Sequence, residues 1–578
     1  MKSLHFNYNI MNYRKGSGSI ILIFALLICY SCVTTQPAQT VERQDPETFK
    51  NPILAGFYPD PSITDDGKGN YYMVHSTFAY FPGIPIFHSR DLVNWEQIGN
   101  VLDRPEQLQL EGFGVSRAVF APDISYDNGT FYVTCTIVDG KGNFVVTAKD
   151  PAGPWSNPVW LPEVQGIDPG LFFDDEKSYI VYNGDAPDNK PLYEGHRTIR
   201  MFEFDKENLK VTGPNRILVN GGVDISKKPI WAEGPRIYKL RGYYYLMTAE
   251  GGTAINHEEV IYRNRDIDDE FIPYENNPIL TQKHLDPDRP NPVTSAGHAD
   301  LVLGPDDKWY GVFLAVRPYE GDYYNTGRET FLAPVKWEND WPVFDLDGEE
   351  IKYEYPLPNG VKVNQNLFPF NGNFTFTNQF DKPKLEHHWL FLRTPQSQWY
   401  ETGAGKLIMN TRPETVSGTS NPSFIGHRQQ HLTGSASISL DFSTERSNEK
   451  AGLLAFQNEN HYYFLSKSFA NGNPVVQLFK GSEYGPELVT SKVLPQNTST
   501  VELKIEANKD KYSFYYKTGP EWNLLQRNLD GKYLSTRVAG GFVGVVFALY
   551  TTSNRESSNN QATFNWFTYE GNDEIYRE

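Results

Sequence analysis

The feature that most constrains the fold is a unit that recurs five times between Pro59 and Val335. Its openings read Pro59-Asp-Pro-Ser-Ile, Ala121-Pro-Asp-Ile-Ser, Asp168-Pro-Gly-Leu-Phe-Phe, Glu233-Gly-Pro-Arg-Ile-Tyr and His298-Ala-Asp-Leu-Val-Leu. Each opening is followed by a turn and an aromatic run, such as Asn70-Tyr-Tyr-Met-Val or Gly242-Tyr-Tyr-Tyr-Leu-Met. Short runs of Tyr, Phe, Val and Ile broken by Gly, Asp, Asn and Pro make strands and turns, with almost no helical periodicity. A period of roughly 50–65 residues is that of a four-stranded propeller blade with its loops. The prediction is an all-β chain whose first part is a five-bladed β-propeller. The opening run of each unit becomes the innermost strand, and its first residues rim a central pocket.

Aligning the units on Ile63, Ile124, Leu171, Ile237 and Leu301 places Asp60, Ala121, Asp168, Glu233 and His298 three or four positions earlier. An acid just ahead of an apolar strand adds little stability, and a lone Asp-Pro there is usually a turn residue. Three acids at equivalent points of one repeat instead point to carboxylates gathered around a shared centre. Hydrolysis of a glycosidic bond needs such groups: one carboxylic acid, one carboxylate and something to tune them. Blade two puts Ala121, with Phe120 before it, among these polar positions. The pocket is thus apolar on one side and ionisable on the rest, which suits a sugar. Asp123 and Asp300 lie inside their runs and read as structural. Trp95, Trp155 and Trp231 read as blade packing.

At 578 residues the chain is too long for one domain on the usual prior of about 100–200 residues each. A net charge of −18 repels phosphate, so nucleic acid is not an expected partner. Lys2, Arg14 and Lys15 precede an apolar run, Ile20–Cys29, that is too short to span a bilayer. This reads as a secretory leader. Cys32, followed by a polar stretch, reads as a lipoprotein site, so residues 1–50 are expected to be leader, anchor and linker of an exported bacterial protein. Periplasmic and cell-surface placement both remain open. Contact with a membrane is expected only through lipid on Cys32. Cys135 lies in a strand run and reads as a small buried hydrophobe. No Cys/His pattern points to zinc.

The repeat ends near Trp341-Pro-Val-Phe. The propeller is expected over 51–353, a linker over 354–372 and a second domain over 373–578. That last part carries short alternating strands, among them Ala436-Ser-Ile-Ser-Leu-Asp-Phe and Val501-Glu-Leu-Lys-Ile. They predict a β-sandwich. It lacks the acid-first repeat, so it is expected to hold no catalytic residue.

Six motifs in order carry a resemblance. Gly56-Phe-Tyr-Pro-Asp-Pro-Ser, Ser76-Thr-Phe with Phe81-Pro-Gly, His88-Ser-Arg-Asp-Leu-Val-Asn-Trp, Asp168-Pro-Gly-Leu-Phe, Glu233-Gly-Pro and Gly297-His-Ala-Asp together resemble glycoside hydrolase family 43. The likeness is to its two-domain β-xylosidases and α-L-arabinofuranosidases, and it runs from about Asn51 to the C-terminus. It implies a propeller followed by a lectin-like sandwich. It implies that Asp60 is the general base, Glu233 the general acid, and Asp168 the residue that positions the acid and raises its pKa. Arg317, in Ala315-Val-Arg-Pro, matches an arginine that contacts the bound sugar. His298 matches a histidine at the propeller centre that either helps to hold a mostly water-coordinated calcium ion or takes its place. Phe78 and Phe120 match aromatic pocket walls, although Phe120-Ala-Pro stands where many relatives have Trp-Ala-Pro.

The resemblance further implies an inverting reaction, with base and acid roughly 6.5–9.5 Å apart to leave room for water. The expected substrates are oligosaccharides of plant hemicellulose that end in β-D-xylose or α-L-arabinofuranose. The loop from Leu102 to Arg117, together with the second domain, is expected to close one end of the groove and favour exo action. Two alternatives are a carbohydrate-binding surface lipoprotein that no longer cleaves and an endo-arabinanase.

Overall fold

A computed structural model describes residues 47–175, 177–364 and 366–577. The expected leader and Cys32 lie outside them. Among the described residues no helix is long and apolar enough to cross a membrane.

The repeat folds into five antiparallel sheets, one per unit. Blade one runs through Ser62–Asp65, Tyr71–Val74, Gly83–Ser89 and Glu96–Leu102. In blade two, Ala118–Val119 and Asp123–Asp127 both pair with Thr130–Val138, followed by Gly142–Ala148 and Val159–Trp160. Blade three comprises Gly166–Asp174, Lys177–Asp185, Arg197–Asp205 and Lys210–Asn220. Blade four starts at Glu233–Leu240 and continues through Tyr243–Glu250 and Glu258–Asn264 to Ile272–Pro273. Blade five comprises Thr294–Leu303, Trp309–Val316, Glu329–Glu338 and Trp341–Phe344.

Polar side chains and a small sheet join the ends of the propeller. Asn51 donates to the carbonyl of Leu332 at 2.8 Å and accepts from its amide at 3.0 Å. Thr48–Lys50 pairs with Glu354–Pro356, so the expected linker opens as a strand on the propeller.

The innermost strands carry two stacked rings of side chains around the axis. The upper ring is Asp60, Ala121, Asp168, Glu233 and His298. The lower ring, one position before each aligned apolar residue, is Ser62, Asp123, Gly170, Arg236 and Asp300. Arg236 Nε lies 3.2 Å from Asp123 and 3.6 Å from Asp300, with all three side chains buried. Tyr238 donates to Asp300 at 2.6 Å, and the Leu171 amide donates to Asp123 at 3.0 Å. A charged group this deep is tolerated only when paired and hydrogen-bonded. Gly170 makes room for the guanidinium, since a Cβ there would stand 3.3 Å from Arg236 Nη1. This network ties the innermost strands together, and Asp123 and Asp300 take part in it as structural residues.

Past the propeller lie two eight-stranded sheets, packed face to face. Thr500–Asn508 alternates between buried and less buried positions along its whole length, as a strand covering a core on one face must. One edge strand of this sandwich comes from the propeller. Tyr80–Phe81, in the loop after the second strand of blade one, pairs with Leu390–Leu392. The two parts therefore share a sheet, and Pro46–Glu578 forms one compact unit. The Leu102–Arg117 loop is pinned to the sandwich as well. Arg393 donates to the Phe113 carbonyl at 2.7 Å, and the Gly112 amide donates to the Thr419 carbonyl at 2.8 Å.

Candidate active site

A cavity of about 620 Å³ opens on the upper ring, lined among others by Asp60, Phe78, Phe120, Asp168, Glu233 and His298. The backbone that presents these groups is unusual. Asp60, Asp168 and His298 have φ of 54°, 55° and 51°. For residues other than Gly this left-handed region is sparsely populated and collects at functional sites. In blade four the same position is Gly234, with φ 58°, and Glu233 stands just before it. A Cβ on Gly234 would lie 3.0 Å from the His298 ring. Blade four thus needs glycine where the other blades carry their functional side chain, which explains why its acid falls one position earlier in the alignment. The ladder shifts register between Ile167 and Gly170, between Glu233 and Arg236, and between Gly297 and Asp300. These bulges aim the side chains at the axis.

The three acids occupy different environments. Asp60 is ion-paired with Arg328, whose Nη1 and Nη2 reach its oxygens at 3.0 and 3.4 Å, and the Ser76 hydroxyl donates to it. Asp168 accepts the Gly234 amide at 3.1 Å. Burial, with the charge of Asp60 second, pushes its carboxyl up to about 7. Glu233 is raised well above the usual carboxylate range by burial first, then by Asp168 and Asp60. One site therefore holds an acid group beside a guanidinium and a second acid whose hold on its proton is strengthened by burial, the kind of pairing that acid–base hydrolysis uses.

The environment of Asp168 has a measurable cost. A carboxyl whose folded pKa is raised favours folding below its unfolded pKa and loses that contribution as pH rises through the folded value. Asp168→Asn carries no such penalty. The variant is expected to be more stable than the parent at pH 8, on the order of 1–3 kcal/mol, and to lose the advantage at pH 4. Thermal denaturation at both pH values checks this; an equal difference at both would show that the buried charge is not the cause.

Phe78 and Phe120 stand where the sequence puts them. Their rings meet edge to face at 5.6 Å, and Phe542 of the sandwich stacks on Phe78 at 5.8 Å. Arg328 lies 5.4 Å from the Phe542 ring, which attracts it through the ring quadrupole. The Phe542 amide donates to Ser116 at 2.9 Å, so the loop ahead of Arg117 and the sandwich wall the pocket together. The sandwich thus contributes an aromatic wall to the site through Phe542.

Two expectations need correction. Arg317 does not face the pocket. It is 1% exposed, donates to Glu329 at 2.6 and 2.8 Å, to Asp573 at 2.7 Å and to the Gln430 carbonyl at 2.9 Å. Every direction its guanidinium fork points is filled by protein, and the arginine that pairs with Asp60 in the pocket is Arg328. Trp231 is not blade packing: it is 40% exposed and lines the cavity, whereas Trp95 and Trp155 are each 3% exposed.

His298 stands at the centre, and the side chains around it do not by themselves make a calcium site. Calcium takes six to eight oxygen ligands. Among the described residues no group of three or more His, Cys, Asp or Glu is arranged to hold a metal ion. His298 offers one imidazole, held neutral because burial depresses its pKa to about 3. Its Nδ1 lies 4.0 Å from Asp60.

Arg328, Phe542 and Arg197 join the site without having been singled out from sequence, and Ser76 and Trp231 join it in roles the sequence did not assign them. Arg328 had a weak signal: it stands in Thr326-Gly-Arg-Glu-Thr, immediately before a blade-five strand. Phe542 had none.

Residues 49–342 match the family model of glycosyl hydrolases family 43, and residues 377–570 match that of the beta xylosidase C-terminal concanavalin A-like domain. A xylosidase/arabinosidase of Butyrivibrio fibrisolvens is 39% identical, over 90% of this chain and 99% of that protein. A non-reducing end alpha-L-arabinofuranosidase of Bacteroides ovatus is 37% identical, over 90% and 95%. The crystal structure of a GH43_12 protein from a capybara gut metagenome superposes with a TM-score of 0.82 at 40% identity, covering 88% of this chain and 96% of that one. The converging acids, the five blades and the appended sandwich all agree with these matches, and the chain belongs to glycosyl hydrolases family 43.

Proposed function

We propose that the protein is an exo-acting, inverting glycosidase that releases terminal β-D-xylose or α-L-arabinofuranose from hemicellulose oligosaccharides. The observation that carries this reading is the convergence of Asp60, Asp168 and Glu233 in one pocket, where burial and Asp168 raise the pKa of Glu233. Asp60 takes a proton from a water molecule as that water attacks the anomeric carbon. Glu233 gives its proton to the glycosidic oxygen as the bond breaks, and the sugar leaves with its anomeric configuration inverted. Arg328 orients Asp60, and Asp168 favours the neutral, protonated form of Glu233 between turnovers. Phe78, Phe120 and Phe542 supply an apolar wall to one face of the sugar and exclude water. The wall that the sandwich and the Leu102–Arg117 loop build on one side favours a chain end over a continuous polymer.

The test is a side-by-side measurement of initial rates on 4-nitrophenyl β-D-xylopyranoside and 4-nitrophenyl α-L-arabinofuranoside, with the anomer released followed by NMR. Turnover of at least one, with inversion, is expected. Activity should fall as pH rises through the raised pKa of the Glu233–Asp168 pair. No turnover of either by folded protein would sink the reading.

A further inference from the structure

Among the described aromatics that line the pocket, Trp231 is the most exposed, at 40%. It stands two residues before Glu233 and lines the same cavity. Arg197 covers one indole face, its guanidinium carbon 5.1 Å from the ring centroid. Arg197 is itself fixed: it donates to Asn183 at 2.9 and 2.6 Å and pairs with Asp185. Asn183 in turn donates to the carbonyl of Ala232, between Trp231 and the acid. The Trp231 amide donates to Gly195 at 2.9 Å. The residue has φ 53°, a conformation bulky side chains rarely adopt. A strained backbone, an immobilised cation behind the ring and an exposed indole at the pocket mouth do not serve the core, which Trp231 barely touches.

The general acid protonates the oxygen of the leaving group, so the side of the pocket that carries Glu233 is the side on which the leaving group lies. We propose that Trp231, backed by Arg197, is the platform for the sugar next to the cleaved bond, and that it selects terminal pentoses linked to a pyranose. A pyranose chair offers a flat, continuous C–H face that matches an indole. A furanose ring is smaller and puckered and covers less of it. Arg197 behind the ring adds the electrostatic component that aromatic faces exert on cations and holds the plane in place. The inference rests on the glycosidase reading above and specifies its substrate class: pentoses on a xylan-like or glucan-like backbone rather than on arabinan.

The test compares Trp231→Ala and Trp231→Phe with the parent on xylobiose and arabinofuranosyl-xylotriose, in which the leaving group is a pyranose, and on α-1,5-arabinobiose, in which it is a furanose. Inhibition by the free pentose reports the pocket beyond the cleaved bond. In Trp231→Ala, kcat/KM on the pyranose-linked substrates is expected to fall about tenfold or more, the pyranose-over-furanose preference to shrink accordingly, and the pentose Ki to move less than about twofold. Trp231→Phe, which keeps a ring, is expected to recover most of the loss. An equal loss on both linkages, or none, would overturn the platform. A rise in Ki together with the loss would mean that Trp231 acts on the bound pentose instead, which also overturns it. If the parent cleaves none of the three, the glycosidase reading has failed and this inference falls with it; cleavage by the parent with Trp231→Ala unchanged sinks this inference alone.

Discussion

Glu233→Gln is expected to lower kcat on oligosaccharides by about 10²–10⁴-fold while leaving KM within a small factor, because general acid catalysis contributes about that much and the amide keeps the shape of the acid. The loss should depend on the leaving group. A dinitrophenolate departs without a proton, so on a dinitrophenyl glycoside Glu233→Gln should retain most of the parent rate. Asp60→Asn removes the base, which every substrate needs, and its loss of about the same size should persist on the activated glycoside. The pH profiles separate the two roles as well. The decline at high pH reflects deprotonation of the acid, whose pKa burial and Asp168 hold high, and it should vanish in Glu233→Gln. Equal losses for Glu233→Gln on both leaving groups would reassign Glu233 from acid to a positioning role.

The second large effect concerns stability. Arg317 lies between Glu329 and Asp573, and all three side chains are at most 4% exposed. Glu329 also holds the Gly56 amide at 2.7 Å, and Asp573 holds that of Thr433 at 2.8 Å. One guanidinium thus ties blade five to the chain preceding Asp60, to the sandwich and to the C-terminal segment. Arg317→Met leaves two buried carboxylates without their cation. Removing one partner of a buried pair costs about 3–5 kcal/mol, far more than the net worth of the pair, because the surviving charge stays desolvated. Urea denaturation should show a loss of that size, while KM of the folded fraction stays unchanged. Unaltered stability with a raised KM is what a sugar contact would produce, and it would restore the role suggested by the motif Ala315-Val-Arg-Pro.

Arg317 and Arg328 also show where reading a sequence stops. Both belong to blade five and flank one excursion between its second and third strands. Which of them faces the axis depends on where that excursion lies against the sandwich. Asn325 donates to Tyr512 at 3.1 Å and to the Gly531 carbonyl at 3.0 Å, and this docking leaves Arg317 inside the protein and Arg328 beside Asp60. Neither spacing nor residue type encodes that choice. Trp231 was misread for a similar reason. A tryptophan between strands is usually packing, and only its left-handed backbone and the guanidinium behind it turn the ring toward the cavity.

The propeller, its five blades and the upper-ring identities were legible because they depend on local chemistry repeated five times: a period of two within strands, Gly and Asp at turns, and acids at one recurring offset. The sandwich was legible for the same reason. Contacts across long sequence separations were decided by the tertiary structure alone. Phe542 reaches Phe78 and Arg328 only because Tyr80–Phe81 completes a sheet of the sandwich. The pKa values of Asp168 and Glu233 follow from burial and mutual approach, which no single segment contains. The acids themselves were written in the sequence; how strongly each holds its proton was set by what the fold places around it.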